Sequence, residues 1–219
     1  MKNFWLDIRD KVLLFDFDGT LVETEKVAIQ VIREYFREKN PEFRVTPEVI
    51  IGRTWQAAVV SMKELALKDG VELESASDLL HHLRTRYREA LETGAKLIPG
   101  FLECLPFLKA QARFMGIVTG SDREDVDLIL KSHKLDQSFD QIWAFGDYEK
   151  SKPDPSPYQT ALQALNIKAS DAIVFEDSVA GMESAHLAGL SFVQIAYEGH
   201  AKVVDPRAIK VVKDWGGKV

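Results

Sequence analysis

Short runs that are apolar throughout or nearly so recur along the chain and are separated by stretches with helical periodicity. The five runs are Val12–Phe15, Gly116–Val118, Ile142–Phe145, Ala172–Phe175 and Phe192–Ile195. Such runs are typical of strands that are covered on both faces, as in parallel sheets. Helical spacing of i, i+3, i+4 lies between them, in Val126, Ile129, Leu130 and in Tyr158, Ala161, Leu162. This alternation predicts an α/β fold built on a parallel sheet.

The interval between the first two predicted strands is too long for a simple crossover. From about residue 23 to residue 93 the pattern is helical, with two apolar stripes. The stripes are Val27, Val31, Ile32, Tyr35, Phe36 and then Leu79, Leu80, Leu83, Tyr87, Leu91. A crossover between neighbouring parallel strands needs only about a dozen residues, and Pro99-Gly100 marks the return to the sheet. The sequence therefore predicts a core domain of residues 1–22 and 94–219 and an inserted helical domain of residues 23–93.

Composition restricts the class of protein. The 219 residues include 28 Lys+Arg and 34 Asp+Glu, and this net charge of −6 argues against a nucleic-acid partner, which needs a basic face. One cysteine, Cys104, cannot form an internal disulfide and fits a reducing compartment. No run reaches the ~18 apolar residues of a membrane span, and Met1–Asp10 has no stretch of signal-peptide type. We therefore expect a cytoplasmic protein without a membrane partner.

An acidic loop follows the first predicted strand directly, with the sequence Asp16-Phe17-Asp18-Gly19-Thr20. Ligands of parallel sheets collect at the carboxyl ends of the strands, so this loop points at the expected site. Two aspartates at this spacing can take different roles, one as a carboxylate nucleophile and the other as a general acid and base. The alternative is a surface turn, since Asp and Gly are common turn residues.

Two further loops are candidates for binding a phosphate. Thr119-Gly120-Ser121 lies at the end of a predicted strand and opens a helix, where free amides and hydroxyls suit an anion. Lys152 stands just before a proline-stiffened helix start and could offset the charge of clustered carboxylates and a phosphate. The alternatives are an ordinary helix N-cap for the first loop and an exposed lysine for the second.

Glu176 and Asp177 follow the apolar run that ends at Phe175. Two acids at the end of a buried strand are costly unless they are paired or bind a cation. Mg²⁺ prefers hard oxygen ligands and is commonly held by one or two carboxylates together with phosphate and water. The alternative is a helix with acidic residues in its first turn, where the helix dipole favours them.

Together, these four motifs resemble the haloacid dehalogenase superfamily, in its β-phosphoglucomutase-like and phosphatase branch. The resemblance covers nearly the whole chain, with the motifs in family order. It implies a Rossmann-like, doubly wound parallel sheet with an inserted helical cap that closes over the site. It also implies that Asp16 attacks phosphorus to form an aspartyl-phosphate, that Asp18 protonates the leaving oxygen and then activates water, and that Lys152 orients the nucleophile and the phosphoryl group.

The resemblance implies the remaining site residues as well. The phosphate-binding residues it implies are Thr119, Gly120 and Ser121. The Mg²⁺ ligands it implies are Asp16, Asp18 through its backbone carbonyl, Glu176 directly or through water, and Asp177. In the inserted domain, Gly52-Arg53-Thr54 resembles a family loop that reaches the site, so Arg53 is a candidate substrate contact; an exposed helix arginine is the alternative.

The expected reaction is Mg²⁺-dependent hydrolysis of a small phosphorylated metabolite, of the sugar phosphate or phosphoglycolate type. Haloacid dehalogenases and phosphonatases lack an acid at the position of Asp18, which favours O-phosphate chemistry. A β-phosphoglucomutase is the first alternative, although its cap histidine corresponds to Ala28 here, a departure that disfavours it. The second alternative is a catalytically silent regulator that binds a phosphorylated ligand. We expect a monomer.

Overall fold

The computed structural model describes residues 6–46, 49, 54–197 and 203–217 and divides into two compact units, residues 1–23 with 96–219 and residues 24–95. The first unit is an α/β domain. Its strands are β1 (Val12–Phe15), β2 (Phe114–Val118), β3 (Gln141–Trp143), β4 (Ala172–Glu176), β5 (Ser191–Ile195) and β6 (Lys210–Val212). The unit's described helices are α4 (Phe101–Gln111), α5 (Arg123–Ser132), α6 (Ser156–Leu165) and α7 (Val179–Leu187), and a short 3₁₀ helix (Ala169–Asp171) precedes β4.

The six strands form one parallel sheet in the order β3-β2-β1-β4-β5-β6. β1 therefore lies at the centre, between β2 and β4. Its last residue, Phe15, is in register with Ile117 of β2 and Phe175 of β4. Because the three strands end at the same level, the loops that follow them meet at one edge of the sheet.

Side chains cover both faces of the sheet, which explains why the central strands β1 and β2 are apolar along their whole length. On one face, Val12 and Leu14 pack in a cluster with Tyr158 of α6 and Met182 of α7. Other aromatic side chains surround Phe15, whose ring stacks on that of Phe175 with 4.9 Å between the ring centroids. The predicted Rossmann-like α/β fold with a parallel sheet is confirmed.

The second unit is helical over its described residues. It contains α1 (Thr24–Lys39), α2 (Trp55–Lys68) and α3 (Ala76–Gly94). Both predicted apolar stripes face its interior. The buried stripe residues are Val27, Val31, Ile32, Tyr35 and Phe36 on α1 and Leu79, Leu83, Tyr87 and Leu91 on α3. Ala28 is also buried in α1.

Two local features of the structure differ from what the sequence pattern indicates. Strand β6 has no counterpart among the predicted runs, because at the edge of the sheet it is only three residues long and partly exposed. The alternative of an ordinary helix N-cap does not describe Ser121, because the N-cap of α5 is Asp122 and the Ser121 hydroxyl donates to Asp18. Among the described helices, none combines the length and the apolar character that crossing a membrane requires.

Candidate active site

Three buried carboxyl groups meet at the carboxyl ends of the two central strands. Asp16 follows β1, Glu176 is the last residue of β4, and Asp177 comes next. Each offers an oxygen atom within 4.8 Å of the others. The backbone amide of Asp16 donates to the carbonyl of Phe175 at 2.9 Å, which continues the β1–β4 pairing into the loop. The register of the sheet thus brings together acids that are 160 residues apart in the chain, since 176 − 16 = 160.

Lys152 supplies the positive charge at the centre of this cluster. Its ammonium group lies 2.6 Å from Asp16 Oδ1 and 2.6 Å from Glu176 Oε1, and it donates to the carbonyl of Val118 at 2.9 Å. The same ammonium group sits 5.0 Å from the ring centroid of Tyr158, within the range of a cation–π contact. The exposed-lysine alternative for this residue is therefore wrong, because the Lys152 side chain is only 10% exposed.

Glu176 is surrounded by hydrogen-bond donors. Besides Lys152, the hydroxyl of Tyr158 donates to its Oε1 at 3.1 Å. Its Oε2 accepts from the amide of Asp177 at 3.0 Å and from both the amide and the hydroxyl of Ser178 at 3.1 Å. A Cβ atom at Gly181, in the first turns of α7, would overlap this carboxylate. The close approach of α7 therefore fixes the position of Glu176.

Asp18 lies on the other side of Asp16 and faces the loop that follows β2. Its Oδ2 accepts from the Ser121 hydroxyl at 2.6 Å and from the Thr119 hydroxyl at 3.2 Å. The Thr119 hydroxyl in turn accepts from the amide of Ser121 at 3.0 Å. Gly120, between them, is exposed, and the space around its Cα is open. Hydroxyl and amide donors thus cluster beside the acidic loop.

The protonation of the cluster follows from its burial. Burial, together with the Glu176 carboxylate, raises the pKa of Asp16 to about 8, although Lys152 acts in the opposite direction. Burial by itself would lower the pKa of Lys152, but the carboxylates of Asp16 and Glu176 outweigh it and raise that pKa well above its ordinary value. Lys152 is therefore a permanent cation, whereas burial and the Glu176 carboxylate favour the neutral form of the Asp16 carboxyl group.

The cluster fits a divalent cation. All three groups present carboxylate oxygens, the hard ligands that Mg²⁺ and similar ions prefer. A bound cation would also favour the ionised form of Asp16, against the burial and the Glu176 carboxylate that raise its pKa. The buried triad Asp16, Glu176 and Asp177 could thus hold a metal ion.

Every predicted site residue that the structure describes lies at one edge of the sheet. The remaining predicted site residue is in a segment that the structure does not describe. Arg53, like Gly52, lies outside the described residues. Three residues that contact this cluster or its loops were missed by sequence reasoning: Tyr148, Tyr158 and Gly181. Tyr158 was noted only as an apolar helix position, and nothing in the local pattern indicated that Tyr148 donates to the Thr119 carbonyl at 2.7 Å.

Comparison with known proteins supports the resemblance that the motifs indicated. The family model described as haloacid dehalogenase-like hydrolase matches residues 13–195. Protein CbbY of Rhodobacter capsulatus is 32% identical over 190 residues, 84% of either chain. The phosphorylated carbohydrates phosphatase of Thermotoga maritima is 28% identical over 190 residues, 82% of either chain. The crystal structure of CbbY from Rhodobacter sphaeroides in complex with phosphate has a TM-score of 0.77 at 21% identity. The match covers 94% of this chain and 95% of the CbbY chain.

The chain thus has an α/β fold with a buried acidic cluster at the carboxyl edge of its parallel sheet. The chain belongs to the haloacid dehalogenase-like hydrolase family. Within that superfamily it is a phosphoric monoester hydrolase, so the predictions of the superfamily and of the enzyme class are confirmed.

Proposed function

We propose that the protein is a Mg²⁺-dependent phosphatase of a small phosphorylated metabolite, of the sugar phosphate or phosphoglycolate type, and that it acts through an aspartyl-phosphate on Asp16. The observation that carries this proposal is the position of Asp16. Its carboxyl group lies 2.6 Å from the ammonium group of Lys152, and one of its oxygens is within 4.8 Å of an oxygen of the Asp177 carboxyl group. A carboxylate so placed can approach the phosphorus of a dianion that would otherwise repel it.

In the first proposed step, a carboxylate oxygen of Asp16 attacks phosphorus and the bond from phosphorus to the leaving oxygen breaks. Asp18 gives its proton to that oxygen, so the product leaves as a neutral alcohol. In the second step, Asp18 takes a proton from water as the water oxygen attacks phosphorus. The bond between phosphorus and Asp16 then breaks, which restores the carboxylate and releases inorganic phosphate.

Other residues bind the phosphoryl group in this scheme. The hydroxyls of Thr119 and Ser121, which contact Asp18 at 3.2 and 2.6 Å, are close enough to turn toward a phosphate oxygen. The amide of Gly120 adds a donor at a position with open space around it. Lys152 balances negative charge on the side of Glu176 and keeps Asp16 in place.

Mg²⁺, when bound, would neutralise charge that develops on the phosphoryl oxygens. We propose that Asp16, Asp177 and the backbone carbonyl of Asp18 hold it directly. Glu176 is better suited to act through a water molecule, because its two oxygens already accept five hydrogen bonds from the protein. The sequence left open whether Glu176 binds the metal directly or through water, and we propose the second arrangement.

The substrate class draws support from relatives. The Thermotoga maritima relative is named a phosphatase of phosphorylated carbohydrates, and the Rhodobacter sphaeroides structure contains phosphate. We further propose that residues 24–95 act as the cap and that Arg53 contacts the substrate. A monomeric state and a cytoplasmic location remain predictions from the sequence.

The test is hydrolysis of p-nitrophenyl phosphate with Mg²⁺ and after removal of the metal with EDTA, followed by a panel of sugar phosphates and phosphoglycolate. We expect release of phosphate that EDTA abolishes and Mg²⁺ restores. Binding of panel compounds without hydrolysis of any of them would instead indicate a regulator. Interconversion of β-glucose 1-phosphate and 6-phosphate with the bisphosphate primer would indicate a mutase.

A further inference from the structure

The side chain of Trp215, near the carboxyl terminus, lies in the core beneath the acidic loops. It is fully buried, and among the described residues it is the largest of the fully buried side chains. Its ring centroid is 5.7 Å from that of Phe15 and 5.0 Å from that of Phe175. These two residues are the ones that immediately precede Asp16 and Glu176. The indole therefore packs directly against the ends of the two strands that carry the site.

Polar contacts hold Trp215 at three points. Its backbone amide donates to the carbonyl of Pro99 at 3.0 Å, and its own carbonyl accepts from the thiol of Cys104 at 2.9 Å. Its indole N–H donates to the carbonyl of Thr20 at 2.9 Å. At Gly100 a Cβ atom would overlap the backbone of Gly216, so the chain there packs closely against the segment that carries Trp215. The indole has little freedom to move away from the acidic loop.

Thr20 connects this indole to a site carboxylate. It is the last residue of the loop that begins at Asp16, and it is fully buried. Its hydroxyl donates to Asp177 Oδ1 at 3.0 Å. Trp215 thus holds the backbone of the same residue whose side chain orients Asp177, although Trp215 and Thr20 are 195 positions apart.

We propose that Trp215 is a positioning residue that acts through Thr20 to orient the Asp177 carboxylate for a divalent cation. The inference rests on the proposed metal-dependent function. A fixed Thr20 backbone limits the directions its hydroxyl can take, and one oxygen of Asp177 is then held in place. Groups that orient metal ligands in this way commonly change metal affinity by about 10–100-fold when removed.

The experiment measures Mg²⁺ affinity by isothermal titration calorimetry in the full chain. W215F keeps an aromatic ring but loses the N–H donor, and T20V loses the hydroxyl. We expect each to weaken Mg²⁺ binding by about tenfold. The double variant W215F/T20V should bind no more weakly than T20V alone, because Trp215 acts through Thr20. T20S, which keeps the hydroxyl, should bind Mg²⁺ as the wild type does.

W143F serves as the matched control. Trp143 is also buried in the core of the sheet, where its ring packs near Phe114 with 6.4 Å between the centroids. The control should lose thermal stability to a similar extent as W215F but keep the wild-type Mg²⁺ affinity. An equal loss of affinity in both variants would mean that Trp215 has a merely structural role and would overturn the inference.

A measurement on the wild type covers the case in which W215F does not fold. Indole ¹H–¹⁵N signals, assigned through the backbone, are followed during a Mg²⁺ titration. We expect the Trp215 signal to shift with the calorimetric dissociation constant and its N–H to exchange more slowly with solvent. Three results would each overturn this inference and leave the proposed function intact: an unmoved Trp215 signal, an unchanged Mg²⁺ affinity of W215F, or additive effects of W215F and T20V. A wild-type protein that binds no Mg²⁺ would contradict the proposed function and the inference together.

Discussion

At the scale of single residues, the site is a balance of charge around Lys152. Its ammonium group contacts two buried carboxyl groups at 2.6 Å. Because these side chains are at most 10% exposed, bulk solvent screens the two ion pairs only weakly. Pairs of this kind are favourable only when each remaining oxygen also finds a partner. Glu176 meets that condition through Tyr158, Ser178 and the amide of Asp177. Asp16, the other carboxyl group on Lys152, is the one to which the proposed function gives the role of nucleophile.

The first prediction concerns the nucleophile. D16N should abolish turnover, because an amide cannot form the acyl phosphate, and should leave the fold intact. Steady-state hydrolysis of p-nitrophenyl phosphate and far-UV circular dichroism check the two parts. D136N, at an exposed aspartate, is the control and should keep full activity. Full activity in D16N would contradict the mechanism.

A second prediction concerns the close packing of α7 against Glu176. In G181A the added methyl group would overlap the Glu176 carboxylate, so either the helix or the carboxylate must shift. We expect a loss of about 1–3 kcal/mol in the free energy of unfolding, together with a clear fall in kcat as Lys152 loses one of its two carboxylate partners.

The control for G181A is G94A. Gly94 is also helical, but its nearest neighbour to an added Cβ, a methyl carbon of Val27, is 4.0 Å away. This variant should be as stable as the wild type or more stable, because alanine favours the helix by up to about 1 kcal/mol over glycine. Urea unfolding of both variants gives the comparison. Equal effects would show that the Glu176 contact is unimportant.

At the scale of elements, the segment between β3 and α6 carries Lys152 and is tied to the neighbouring loop by Tyr148. The Tyr148 hydroxyl donates to the Thr119 carbonyl at 2.7 Å, and burial raises the pKa of Tyr148 to about 12, which keeps the donor proton in place. The backbone amide of Phe145 also donates to the Ser121 carbonyl at 3.0 Å. Two contacts thus connect the segment of the lysine to the loop proposed to bind phosphate.

The third prediction tests this connection. Y148F removes only the hydroxyl and should cost about 1 kcal/mol of stability. Because the Thr119 loop is then less fixed, KM for p-nitrophenyl phosphate should rise several-fold, with a smaller change in kcat. Inhibition by inorganic phosphate should weaken in parallel, since KM and the inhibition constant both depend on how well the phosphate group is bound. Unchanged values of KM and of the inhibition constant would show that Tyr148 stabilises the fold alone.

At the scale of the whole molecule, the acidic cluster should make stability depend on the metal. Under the proposed function Mg²⁺ binds the folded state, so it should raise the melting temperature of the wild type in proportion to its binding free energy. In the fourth prediction, D177N relieves repulsion within the cluster and loses a metal ligand. It should therefore melt no lower than the metal-free wild type, and Mg²⁺ should not raise its melting temperature. A Mg²⁺-induced shift equal to that of the wild type would contradict the role of Asp177.

A fifth prediction concerns the division into two units. The α/β unit is interrupted by residues 24–95, but the chain leaves and re-enters it at adjacent points, where the amide of Glu23 donates to the carbonyl of Lys96 at 2.8 Å. Replacing residues 24–95 with a short glycine-serine linker should therefore leave a unit that unfolds cooperatively and binds Mg²⁺. Calorimetry and Mg²⁺ titration measure both properties. Loss of cooperative unfolding would show that the α/β unit needs the insertion to fold.

The sequence by itself determined where the central strands lie and which loops carry the chemistry. A strand covered on both faces must be apolar throughout, so Val12–Phe15 and Ala172–Phe175 were visible as runs, and the polar residues after them were visible as candidates. The motif spacing then identified Asp16, Asp18, Lys152 and Asp177 through a family resemblance. These features are local, because each depends on residues that are adjacent in the chain.

Only the tertiary structure decided which groups touch. The order β3-β2-β1-β4-β5-β6 places Asp16 beside Glu176, and it results from packing that no single segment encodes. The same holds for Gly181 against Glu176 and for the indole of Trp215 against Thr20, where partners far apart in the chain meet. A hydrogen bond forms between atoms that are close in space, and spacing along the chain predicts that closeness only within a helix, a strand or a turn.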